Sequence, residues 1–141
     1  MNRILIAASG MLMCTTAARA QTEQDICASA RYIASHYPNN LKVITGKKDG
    51  DDYEGKIAMP LSRYCYVAKK RSQYACFYRS KGDQAAVQSL ALMNTVAACF
   101  PSAAASDSET FRSIRLDTAL LRMSRSQSGA DWTVLVTFLP L

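Results

Sequence analysis

Four cysteines in the body of the chain, Cys27, Cys65, Cys76 and Cys99, are the residues with the clearest chemical potential. A zinc site draws on Cys-x2-Cys pairs or nearby histidines, and thiol redox centres use Cys-x-x-Cys. The spacings here are wide and the single histidine is His36, so neither chemistry is supported. With the fifth cysteine, Cys14, inside an N-terminal segment expected to be cleaved on export, the remaining even number reads as two disulfides, with three connectivities open.

The segment CYVAKKRSQYAC, residues 65–76, frames the pairing question. Two aromatic, β-prone runs enclose a polar basic stretch, which signals a hairpin. A turn centred between Lys70 and Arg71 sets Cys65 opposite Cys76. Opposed strand residues have Cα atoms roughly 4.5 to 5.5 Å apart, within reach of a disulfide. Cys27 and Cys99 would then tie the first helix to the end of the second. A turn shorter or longer by one residue shifts the register and favours Cys76–Cys99 with Cys27–Cys65.

Other candidates for chemistry are weaker. His36 has no nucleophile beside it in sequence and reads as a helix C-terminal residue, where the dipole favours a cation. The run DGDDYEG holds Asp49, Asp51, Asp52 and Glu54 but lacks the longer ladder and distal Glu of an EF-hand loop, so it reads as a solvated acidic turn. No spacing selects a carboxylate pair for glycosidase work, and no Gly-rich phosphate loop, HExxH or Gly-x-Ser-x-Gly occurs. No catalytic residue, cofactor or metal ion is therefore expected.

What remains is a surface for recognition. Lys69, Lys70 and Arg71 form the tip of the expected hairpin, and Tyr66 and Tyr74, with Tyr64 and Tyr78, flank it. Tyrosine brings large contact area at low entropy cost and arginine brings bidentate contacts, a combination suited to binding another macromolecule. Strand tyrosines that merely cover a sheet, with lysines keeping its edge soluble, give the same pattern. The expectation is a non-catalytic binding protein of the cell envelope that inhibits, escorts or assists another envelope protein, or binds an anionic envelope polymer. The rival expectation is a small envelope hydrolase using Asp or Glu in a cleft.

Compartment and size follow from the ends. Arg3, the apolar run from Ile4 to Met13 and the small-x-small stretch Ala18-Arg19-Ala20 make a secretory signal peptide, cleaved after Ala20. Residues 21–141 then suit a single domain. No further apolar run reaches membrane-spanning length, so the processed chain is expected in the periplasm or outside the cell. The formal net charge of +6 on the 141 residues stays positive after processing and favours acidic partners; nucleic acid is not expected in that compartment.

The elements that must position these residues are legible in outline. Ile26, Ala30 and Ile33 recur at helical spacing after Thr22 or Asp25 as cap, and Pro38 ends that helix. LKVITG reads as a short strand and KKDGDDYEG as a loop. Pro60 breaks the next extended run. RYCYVA and YACFYR are the hairpin strands. Gly82-Asp83 opens a helix over residues 84–99, with Val87, Leu90, Ala91, Asn94 and Ala98 on one stripe and more apolar residues beside it, so it reads as largely buried. SAAASDSETF is a connector with a possible capping box at Ser106 and Glu109. TALLRMSR and WTVLVTFL are two further strands, the second placing Trp132, Val134, Val136 and Phe138 on one face. The order α-β-β-β-α-β-β predicts an α+β fold: an antiparallel sheet of about five strands with two main helices packed on it, stabilised by disulfides.

Overall fold

Short polar turns between β-prone runs fold the strands of this chain into one antiparallel sheet. A computed structural model describes residues 12–68, 70, 72–101 and 103–141. Among these residues, eight strands pair in the order β1-β2-β3-β4-β8-β7-β6-β5. They are β1 (Thr45–Asp49), β2 (Asp52–Gly55), β3 (Tyr64–Ala68), β4 (Gln73–Ser80), β5 (Ala104–Asp107), β6 (Phe111–Arg115), β7 (Ala119–Ser128) and β8 (Asp131–Pro140). The helices are α1 (Leu12–His36), the single turn α2 (Leu41–Ile44) and α3 (Ala85–Ala98). Two four-stranded meanders therefore meet where β4 pairs with β8, and α3 is the crossover between them.

The α+β class and the antiparallel sheet stand, while the expected five strands and two helices become eight and three. The additional strands come from segments read as loops. KKDGDDYEG folds into the β1–β2 hairpin, turned at Gly50 with φ +58°. The connector SAAASDSETF forms β5 and leads into β6, with the Ser108 Oγ accepting from Phe111 N at 3.1 Å. Ser106 faces Ser113 in that ladder and caps no helix. Both hairpins lie at the sheet edges, where one face or both meet water, so no apolar alternation betrays them. LKVITG is split: Leu41–Ile44 coil into a helical turn that buries Ile44, and β1 begins only at Thr45.

The core lies between one face of the sheet and the helices. Ile26, Ala30 and Ile33 of α1 and Tyr37 just after it pack on it, together with Met93 and Val96 of α3. Val134, Val136 and Phe138 of β8 and Leu121 and Met123 of β7 supply the sheet side. Burying one such aliphatic side chain is worth roughly 1.5 to 3 kcal/mol. Among the described residues, the other sheet face carries no helix. This two-layer arrangement corrects the expectation for α3. Its buried stripe is Ala85, Ser89, Met93 and Val96, and Val87 is 64% exposed, because only one side of the helix meets the sheet. Its N-cap is Gln84, without a side-chain cap, in place of Asp83. α1 likewise starts earlier than expected, with Thr22 and Asp25 inside it and Ala20 on its path; alanine-rich sequence propagates a helix readily.

Three arginines fasten the layers. Arg31 Nε donates to Cys99 O at 3.1 Å, linking α1 to the end of α3. Arg112 bridges Asp107 at 2.8 Å and Asn94 Oδ1 at 3.0 Å. Arg125 donates to Ala86 O and to Ser89 Oγ, both at 2.9 Å, while its guanidinium sits 4.3 Å from the centre of the Trp132 ring. Part of the basic excess thus serves the fold and is withdrawn from any partner. Among the described residues, no helix is long and apolar enough to cross a membrane.

Candidate functional site

The β3–β4 hairpin is built by alternation about its disulfide. Cys65 and Cys76 are directly opposed in the ladder and are joined; Cys27 and Cys99 form the second disulfide, from α1 to the residue after α3. Two disulfides fit an oxidising, extracytoplasmic setting. Ala68 pairs with Gln73 at the end of the hairpin, which encloses Lys70 and Ser72. Within it Lys70 is exposed and Ser72 adopts φ +46°. Lys69 and Arg71 lie outside the described residues, as do residues 1–11 of the expected signal peptide.

The turn is held from below. Tyr37, the residue after α1, is buried and donates its hydroxyl to Ser72 O. Its own carbonyl accepts from Thr118 Oγ1 at 3.0 Å, so the turn, α1 and the β6–β7 connection are fixed at one end of the sheet. Burial pushes the Tyr37 hydroxyl up to about 12, so it remains a proton donor across the physiological range.

The tyrosines divide by parity. Cys76 faces the core, so Tyr74 and Tyr78, two residues to either side, face it too and are 0% and 3% exposed. Tyr74 therefore is no part of a contact surface, contrary to the expectation. Its hydroxyl donates to Ile57 O at 2.5 Å and accepts from Ile57 N at 3.0 Å, pinning the loop between β2 and β3. Burial pushes it up to about 12, opposed by the bond to the Ile57 backbone. Gly55 makes room for this: a Cβ there would lie 2.5 Å from the Tyr74 hydroxyl oxygen and 2.8 Å from the Cys65 Cβ. Tyr78 has a buried hydroxyl with no hydrogen-bond partner among the described residues, and burial raises it above the ordinary tyrosine range. The signal for this partition was present in the sequence, since placing the Cys65–Cys76 bridge inward fixes the direction of every neighbouring side chain.

Tyr64 and Tyr66 face the helix-free side. Tyr64 is 56% exposed and stacks on Phe77 of β4 with centroids 5.3 Å apart, while Tyr66 is half-buried 6.0 Å from Tyr64. Phe77 was not singled out from the sequence, although the same parity places it there. Beside this aromatic row Asp49, Asp52 and Glu54 line a shallow groove of about 450 Å³ with Tyr64 and Tyr66. Asp49 and Glu54 are exposed and Asp52 half-buried. His36 ends α1 with Nδ1 at 2.9 Å from Tyr32 O and 3.0 Å from Ser35 Oγ, away from these carboxylates in the sequence and in the bonds it makes. Among the described residues, no group of three or more His, Cys, Asp or Glu is placed to hold a metal ion.

Against this geometry, comparison with family models, curated proteins and solved structures finds no match.

Proposed function

We propose that this chain is an exported binding protein without catalysis of its own, which engages an acidic face of another envelope protein through the tip of the β3–β4 hairpin. The observation that carries the reading is the bracing of that tip. A disulfide closes the strands beneath it, Tyr37 holds the Ser72 carbonyl from inside, and Lys70 is left in water. A tip fixed before contact loses little freedom on binding, and that preorganisation raises affinity. Basic groups at such a rim chiefly accelerate encounter and select acidic partners. Lys69 and Arg71 adjoin Lys70 in sequence and complete the basic tip. Signal-peptide cleavage after Ala20 and the periplasmic or secreted location are part of the same proposal.

The test is replacement of Lys69, Lys70 and Arg71 together by Glu. Capture of the envelope partner by the purified protein should be lost while thermal unfolding stays close to that of the wild type. Undiminished capture by the folded variant would place the contact elsewhere.

A further inference from the structure

The helix-free face of the sheet carries a charge gradient. Register and alternation place Asp52 and Glu54 of β2 on this face, then Tyr66 of β3, then Ala75 and Thr137 on the central pair β4 and β8, then Arg122 of β7 and Arg115 of β6. One row runs straight across: Glu54, Tyr66, Ala75, Thr137, Arg122. The face is acidic on one flank and basic on the other; the central pair of strands is low at Ala75 and Thr137, and its charges, Arg79 and Asp131, neutralise each other in an ion pair at one end. Among the described residues, no ion pair involves Asp52, Glu54, Arg115 or Arg122, although Arg122 rests 5.5 Å from the Phe111 ring centroid.

We propose that this face binds a second copy of the chain about a twofold axis parallel to the strands, running between β4 and β8. The strand order makes β2 and β6 equidistant from that axis, as are β3 and β7. Rotation about it lays β2 of one copy over β6 of the other without displacing residues along the strand direction. Asp52 then meets Arg115, and Glu54 lies over the basic flank. Tyr66 meets Arg122, a cation–π geometry, and Phe77 meets Leu135. Every contact occurs twice, as an isologous interface requires. A twofold axis across the strands would instead stack acid on acid. The complementarity is block to block, so the rotation of roughly 30° between packed sheets leaves it in place. Eight strands spaced roughly 4.8 Å apart offer the width for the roughly 800 Å² per partner that a stable interface buries.

An axis parallel to the strands sends both hairpin tips to the same end of the dimer, where they present two basic contacts to one partner.

The experiment is sedimentation of the protein purified in its disulfide-bonded form, at concentrations up to roughly 100 μM. The wild type should sediment as a dimer. Asp52→Lys/Glu54→Lys alone should be monomeric, as should Arg115→Glu/Arg122→Glu alone. An equimolar mixture of the two should recover the dimer, since each reversed flank meets its opposite, and that recovery shows that both variants are folded. A monomeric wild type overturns the inference. So does a dimer that survives either reversal, or a mixture that fails to reassociate. Partner capture through the tip is read separately, with the Lys69, Lys70 and Arg71 variant, so either claim can fail alone.

Discussion

Tyr74 and Gly55 show how one hydroxyl dictates its surroundings. Tyr74→Phe removes both bonds to Ile57 and leaves the backbone N–H and C=O of that residue unsatisfied. The expected cost is about 1 to 3 kcal/mol in urea unfolding; an unchanged midpoint would refute it. Gly55→Ala forces a Cβ against that hydroxyl and the Cys65 Cβ, for a similar loss of about 1 to 3 kcal/mol by overpacking. The buried tyrosines also set the alkaline limit. Tyr37 and Tyr74 are held up to about 12 against an ordinary value of 10.0, and Tyr78 is raised further. Above about pH 10 the unfolded chain releases these protons while the folded chain keeps them, so stability is intact below that pH and falls as pH rises through about 12. A spectrophotometric titration should show a late tyrosine phase that coincides with loss of the far-ultraviolet circular dichroism. Complete ionisation ahead of unfolding would contradict it. The side chains facing the core were readable for α1 from period alone, at Ile26, Ala30 and Ile33. Aromatic character does not separate surface from core at Tyr74; strand parity does, and it turns the ring inward.

Between elements, the two disulfides do unequal work. In the chain-entropy account stabilisation grows with the loop closed, and the separations are 72 residues for Cys27–Cys99 and 11 for Cys65–Cys76. Paired Cys→Ala replacement should cost about 4 kcal/mol for the first and about 3 kcal/mol or less for the second. Equal or inverted losses in guanidinium unfolding would show that strain or residual structure dominates. Arg125→Ala removes the donors that hold Ala86 and Ser89 to the sheet, along with the stack on Trp132. Amide exchange in the first turns of α3 should accelerate before that of β4 and β8, and uniform acceleration would show that the anchor is not local. Sequence reading found α1, α3, the β3–β4 hairpin and β7–β8 because each carries an apolar period or a turn signal. The hairpins β1–β2 and β5–β6 escaped it because their strands are short, polar and held chiefly by backbone pairing at the sheet edges. The stripe of α3 was rotated because small residues such as Ala85 and Ser89 carry the buried face and hydrophobicity scales pass over them.

At the scale of the molecule, the helices cover one face of the sheet and, among the described residues, leave the other uncovered. Composition predicted a basic protein in search of acidic ligands. The structure assigns Arg31, Arg112 and Arg125 to internal bonds, which concentrates the recognition argument on the hairpin tip and the graded face. Salt should therefore weaken both self-association and capture, since each depends on charge at a solvent-exposed surface. The most direct measurement is quantitative capture from an envelope extract, comparing the wild type with the Lys69→Glu/Lys70→Glu/Arg71→Glu variant at matched concentration. The account predicts that one acidic envelope protein bound by the wild type falls by about tenfold or more with the variant, while sedimentation and unfolding are unchanged. Equal recovery of the same proteins by both would contradict it.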